Sequence, residues 1–200
     1  SIKMEILKGL PVAQAINEEL IKESQEAGIK PHLAIIRVGE RPDDCSYERG
    51  ATKKMDKVGF DCTSYVFPQD ITDEEFQKEF DKINKDDNID GILLLRPLPK
   101  HINEKAIEER INPVKDLDGI SPINLAKVYA GDVNGFAPCT AEAVIEMLDY
   151  AGIDLTGKRV TVVGRSLVIG KPVAMMLMKK NATVTVCHTK TKDMAGTCRK

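Results

Sequence analysis

The sequence lacks a strong excess of either charge. Its 29 basic and 31 acidic side chains leave a formal net charge of −2 over 200 residues. Without a broad basic field nothing holds a phosphate backbone, which argues against nucleic acid as a partner. Long apolar runs are missing too. No stretch approaches the roughly 20 residues that span a bilayer. Ser1 to Leu10 carries Lys3, Glu5 and Lys8 among its apolar residues, so it has no signal-peptide core and no membrane partner is expected. Cysteine is sparse: Cys45, Cys62, Cys139, Cys187 and Cys198 form no Cys-x-x-Cys pair. An odd, dispersed set reads as free thiols in a reducing compartment, which makes a cytoplasmic location the expectation. His32, His101 and His188 lie far apart and give no helical pair, so no metal is expected. Internal repeats and low-complexity stretches are absent.

What is present is ordinary for a globular chain: 42% hydrophobic and 30% charged residues. The length allows one large domain or two small ones. Pro11 to Glu26 has helical periodicity, with Val12, Ile16, Leu20 and Ile21 on one face. Leu33 to Val38 reads as a buried strand, Ser46 to Val58 as a helix, and Thr63 to Phe67 as a second strand. Thr72 to Glu75 is a capping box opening a helix to about Asn84. Gly91 to Leu95 is a third apolar strand. This alternation is the pattern of a parallel sheet covered on both faces. A second unit begins near Pro138. Thr140 is expected to cap a helix through Tyr150, followed by a strand Arg159 to Val163, a helix from about Lys171 to Lys180, and a strand Thr183 to Cys187. Met175, Met176 and Met178 read as helix packing, and Cys187 as a core thiol. The whole is α/β in class, with domains expected at residues 1–139 and 140–200. The second is a βαβ nucleotide-binding half-unit. A complete doubly wound domain needs more strands, so a longer parent protein is expected.

The loop Gly164-Arg165-Ser166-Leu167-Val168-Ile169-Gly170 follows a strand and opens a helix. Backbone N–H groups at such a turn point at an anion, and the helix dipole adds to the attraction. The Gly-x-Gly-x-x-Gly spacing is absent, so the loop alone is equally a tight turn without a ligand. After the next strand come His188-Thr189-Lys190-Thr191-Lys192, with no carboxylate until Asp193. NAD enzymes usually carry an acid there for the ribose. Arg165, His188, Thr189 and Lys190 suit a 2′-phosphate instead, which favours NADP over NAD; the alternative is a solvated basic loop.

Several segments together resemble the methylenetetrahydrofolate dehydrogenase/methenyltetrahydrofolate cyclohydrolase family. They are Val38-Gly39 leading to Ser46-Tyr47; Asp90 to Leu93 leading to Pro97-Leu98-Pro99-Lys100-His101-Ile102; Pro113 to Gly119; Pro138-Cys139-Thr140; Gly164-Arg165-Ser166 with Gly170-Lys171-Pro172; and Cys187 to Thr191. The resemblance covers essentially the whole chain. It implies an N-terminal catalytic, folate-binding domain, a Rossmann-like NAD(P)-binding domain, an active cleft between them, and a homodimer. By resemblance, Tyr47 stacks on the folate and Asp118 hydrogen-bonds the pterin ring, and these two are the catalytic candidates. Leu95, Arg96, Pro97 and Pro99 line the folate pocket. Gly164, Arg165, Ser166, Gly170, His188 and Thr189 hold the nucleotide.

Two positions depart from the family pattern. The family's catalytic lysine, four residues after the tyrosine, is here Ala51. Its glutamine, two residues before the Pro-Leu-Pro loop, is here Leu95, followed by Arg96. Hydride transfer mainly requires position. Hydrolysis of the methenyl cation requires activated water and a proton carrier, for which a lysine is suited and an alanine is not. Lys54 shares the face of Tyr47 but sits roughly 10 Å along the helix, and Arg96 is a poor base. The leading expectation is a dehydrogenase with little or no cyclohydrolase activity. The alternatives are a bifunctional enzyme using Lys54 or Arg96, and a non-catalytic folate or nucleotide binder.

Overall fold

The computed structural model describes residues 5–200. Backbone contacts divide the chain into two compact units: Ala15–Pro122, and Ile123–Lys200 together with the segment up to Gln14.

The first unit is built on three parallel strands, β1 (His32–Val38), β2 (Asp61–Phe67) and β3 (Gly91–Leu94), in the order β2-β1-β3. Successive side chains of a strand leave opposite faces, and here both faces are apolar. Ala34, Ile36, Val38, Ile92 and Leu94 join Phe76, Phe80 and Ile83 on one side. Leu33, Ile35, Leu93 and Leu95 form a second cluster on the other. The α/β parallel architecture expected from the sequence is therefore present.

Helix α1 (Gly9–Ala27) precedes the sheet. Helix α2 (Pro42–Val58) starts four residues earlier than Ser46. Proline needs no N–H partner in the first turn, and Asp43 and Asp44 complement the dipole there. Helix α3 (Asp73–Asn84) opens as the capping box requires, with the Glu75 N–H donating to Thr72 Oγ1 at 3.1 Å. Three short helices were not anticipated: α4 (Glu104–Arg110), α5 (Pro122–Ala130) and one at Met194–Cys198. They are too short to display a helical period.

A further extended segment lies beside β3. The Ile92 N–H donates to Lys115 O at 2.7 Å, and the Leu117 N–H to Ile92 O at 3.3 Å. Gly91 permits this approach: a Cβ there would stand 2.6 Å from Leu117 Cδ1.

The second unit contains α6 (Cys139–Tyr150), β4 (Arg159–Val163), α7 (Gly170–Lys179), β5 (Thr183–Cys187) and α8 (Met194–Cys198). Strands β4 and β5 pair in parallel from Arg159↔Thr183 to Val163↔Cys187. Ala141, Ile145, Leu155, Val173 and Leu177 form the core, with Val160, Val162 and Met176 against it. Thr140 does not cap α6. The helix begins one residue earlier, after Pro138, and no side chain caps it. Met178 is 55% exposed rather than packed, whereas Cys187 is fully buried. Among the described residues no helix is long and apolar enough to cross a membrane.

Candidate functional site

Parallel strands present their carboxyl ends to ligands. At the ends of β1 and β2 lies an open cavity of about 670 Å³ lined by Gly39, Glu40, Arg41, Val66, Phe67, Pro68 and Gln69. The loop after β3 is tied beside it. The Arg41 guanidinium donates to the Pro97 carbonyl at 3.2 Å. The Leu98 N–H donates to Glu104 Oε1 at 2.8 Å, and the His101 ring bonds Ile71 O at 2.7 Å. The Arg96–Pro97 bond is cis. Leu95 is buried, Arg96 and Pro99 are half-buried, and Pro97 is exposed.

The segment beside β3 brings Asp118 to this loop. Asp116, 1% exposed, accepts the N–H groups of Ile120 at 3.0 Å and Ser121 at 2.9 Å, which closes the turn around Gly119. Lys115 Nζ donates to Asn84 O at 3.1 Å and Asp86 O at 2.8 Å, fixing the other end to the close of α3. Asp118 Oδ2 then stands 3.8 Å from Arg96 Nη2, while Arg96 Nη1 lies 3.4 Å from Glu108 Oε1. Burial pushes the Glu108 carboxyl above its ordinary range, and Arg96 opposes that shift. Sequence reasoning singled out Asp118 and missed both Asp116 and Glu108. The first carried a signal, an acid ahead of a glycine turn. The second lies on α4, which had none.

Tyr47 and Ala51 ride on α2. Arg37 of β1 pairs with Glu48, beside Tyr47, and also donates to Gly39 O, which anchors this helix to the sheet. The bond to Glu48 raises the Arg37 pKa. Tyr47 is 52% exposed. Ala51 packs against the cluster of Leu33, Ile35, Leu93 and Leu95. The two positions expected to depart from the family pattern, Ala51 and Leu95, therefore belong to one apolar cluster. Lys54, on the same helix, is exposed.

In the second unit the glycine loop is closely wound. The Gly164 N–H donates to Cys187 O at 2.7 Å, which sets the start of the loop beside the end of β5. Gly164 has φ 133°, a left-handed conformation that favours glycine. A Cβ on Gly170 would stand 2.3 Å from Gly164 O, so the start of α7 lies directly on the loop backbone. The Ile169 N–H donates to Ser166 Oγ at 3.1 Å and the Lys171 N–H to Ser166 O at 2.9 Å, while no side chain caps α7. Arg165, Ser166 and Thr189 are exposed. His188 is held at the end of β5: its N–H donates to Thr191 Oγ1 at 2.7 Å, and its Nδ1 accepts from the Lys190 N–H at 3.1 Å. Asp193 caps α8 by accepting from the Gly196 N–H at 3.1 Å.

Comparison with known proteins matches both halves. Residues 7–118 match the family described as tetrahydrofolate dehydrogenase/cyclohydrolase, catalytic domain, and residues 138–200 match its NAD(P)-binding domain. The bifunctional protein FolD of Clostridioides difficile is 52% identical over 199 residues, spanning 98% of this chain and 69% of that protein. FolD of Clostridium kluyveri is 50% identical over 196 residues, spanning 96% and 69%. The crystal structure of FolD methylenetetrahydrofolate dehydrogenase/cyclohydrolase from Campylobacter jejuni superposes with a TM-score of 0.89 at 38% identity, over 96% of this chain and 69% of that one. The Trypanosoma brucei enzyme, complexed with NADP and an inhibitor, gives a TM-score of 0.85 at 35% identity over 96% and 66%.

Proposed function

Because the chain belongs to the tetrahydrofolate dehydrogenase/cyclohydrolase family, we propose that it oxidises 5,10-methylenetetrahydrofolate to 5,10-methenyltetrahydrofolate with NADP and does not hydrolyse the product. The observation that carries this reading is the apolar cluster of Leu33, Ile35, Leu93 and Leu95 against which Ala51 packs. Hydride transfer needs the reacting carbon held in place, and the nitrogens of the substrate already delocalise the charge that develops. Hydrolysis needs a group that activates water and moves a proton. Neither Ala51 nor Leu95 can do so. Lys54 is solvent-exposed, and Arg96 faces Glu108 and Asp118.

The folate half of this reading rests on Tyr47, Asp118 and the loop from Leu95 to Pro99, with Asp118 as acceptor for the pterin edge. In the nucleotide half, the reading is supported by the close Gly164–Gly170 approach at the start of α7, where no side chain caps the helix and its dipole favours an anion. Gly164, Arg165, Ser166, Gly170, His188 and Thr189 would hold the dinucleotide, which when bound supplies the hydride acceptor. NADP is favoured because the first carboxylate after β5, Asp193, is engaged as the cap of α8. Arg165 and Lys190 are exposed cations suited to a 2′-phosphate. The same reading includes a homodimer, which sedimentation would test.

A second reading, that hydrolysis survives, is favoured by the bifunctional relatives. One assay separates the two. The protein is given 5,10-methylenetetrahydrofolate with NADP or NAD, and the methenyl product is followed by absorbance. Methenyltetrahydrofolate is then supplied alone. Methenyl formation, faster with NADP, and decay at the buffer rate are expected. Decay well above the buffer rate would overturn the loss of hydrolysis, and its disappearance in Lys54→Ala or Arg96→Leu would identify the substitute. No methenyl formation would overturn the dehydrogenase itself.

A further inference from the structure

A guanidinium is a rigid fork of five donors, and that of Arg96 is shared. Nη1 lies 3.4 Å from Glu108 and Nη2 lies 3.8 Å from Asp118, with 23% of the Arg96 side chain exposed. Both separations exceed the roughly 2.8 Å of a close charge-assisted bond. One cation thus stands between two carboxylates, in a long hydrogen bond with Glu108 and within ion-pair distance of Asp118. Its Nε is buried and has no hydrogen-bond partner among the described residues. Such a donor is costly to leave unmade, so the loop that places Arg96 here must be held by other contacts. Three are visible: Arg41 on the Pro97 carbonyl, Glu104 on the Leu98 N–H and the His101 ring on Ile71 O.

From this arrangement we infer that Arg96 is a positioning residue for Asp118, with Glu108 as its anchor on α4. Glu108 fixes one arm of the fork, and the other arm restricts the Asp118 carboxylate to one orientation. The backbone ladder from Lys115 to Leu117 sets where Asp118 stands; Arg96 sets which way its oxygens point. The ligand that gains is one with a fixed pair of N–H donors, such as the aminopyrimidinone edge of a pterin. This inference rests on the folate reading given above. In this role Arg96 acts through Asp118, 3.8 Å away, which separates it from direct binding of the folate carboxylates. Glu108 is part of the device because burial already disfavours its charge, and Arg96 is the cation that offsets this. Loss of Glu108 frees the fork to collapse onto Asp118 and compete with the pterin.

The test is a double-mutant cycle on tetrahydrofolate affinity, measured anaerobically by calorimetry in the whole protein. Arg96→Leu and Asp118→Asn are each expected to weaken binding roughly tenfold. The double variant is expected to be no weaker than Asp118→Asn alone, because the two residues act as one unit. Arg96→Lys should recover part of the loss, and Glu108→Gln should weaken tetrahydrofolate while NADP affinity stays unchanged. If Arg96→Leu does not fold, Arg96→Lys completes the same cycle. Additive losses would overturn the inference, since Arg96 would then act on the ligand by itself; so would unchanged affinity in Arg96→Leu. If the unaltered protein fails to bind tetrahydrofolate, the functional reading falls and the inference falls with it.

Discussion

At the scale of single residues, the proposed loss of hydrolysis turns on Ala51 and Leu95, where the resembled family pattern carries a lysine and a glutamine. Ala51 packs against the cluster that contains Leu95, so a lone lysine at 51 would set its ammonium among aliphatic side chains, which lowers its pKa and strains the packing. We expect Ala51→Lys alone to leave methenyltetrahydrofolate decay at the buffer rate and to lower the melting temperature. Ala51→Lys with Leu95→Gln should raise hydrolysis at least severalfold, read by loss of methenyl absorbance. Which residues to examine was legible in the sequence, because Tyr47, Ala51, Leu95 and Asp118 stand at fixed offsets within short motifs. Their partners were not. Glu108 meets Arg96 from twelve residues away, on a helix of seven residues, and nothing in one dimension announces such a meeting. Asp116 was hidden for another reason: a buried acid satisfied by two backbone N–H groups looks in sequence like any loop aspartate.

Among the elements, the strands were easiest to read. Runs such as Leu33 to Val38 are apolar on both faces, and the sheet uses both. Helix starts were harder, because proline and threonine compete as signals: α2 begins at Pro42 and α6 follows Pro138, ahead of the serine or threonine expected to lead. The turn between β4 and α7 depends on contact rather than propensity. Gly170→Ala would drive a methyl into Gly164 O, and we expect a loss of about 1–3 kcal/mol together with weaker NADP binding. Denaturant titration and calorimetry would show both, and an unchanged NADP affinity would detach this turn from the dinucleotide. Asp73 joins α3 to the start of α4, accepting from the Asn103 N–H at 2.9 Å and Gln77 Nε2 at 3.0 Å. These bonds, that of Asn103 first, hold its carboxyl below the ordinary carboxylate range. A depressed folded-state pKa stabilises above the unfolded value and is lost as pH falls through the folded one. The melting temperature should therefore drop as pH falls below about 4, and drop less in Asp73→Asn.

For the whole molecule, a formal net charge of −2 means that little long-range field draws in an anion. Preference between dinucleotides must then come from cations close to the site. We expect Arg165→Ala to weaken NADP more than NAD, and the difference between them in the unaltered protein to shrink with added salt as short-range pairing is screened. Equal losses for both would remove the 2′-phosphate role from Arg165. The α/β class was legible because alternating strands and helices leave little other choice. How the chain parts into units was less so, since α5 gave no sequence signal and contacts change hands at Pro122 and Ile123. The cluster joining Ala51 to Leu95 has a further meaning for descent. Once both polar groups are gone, regaining either one alone puts an unpaired polar side chain into a packed hydrocarbon layer and restores no chemistry. On the proposed reading, selection meets a valley at the first step in either direction, and packing alone would hold such a protein to a separate hydrolase.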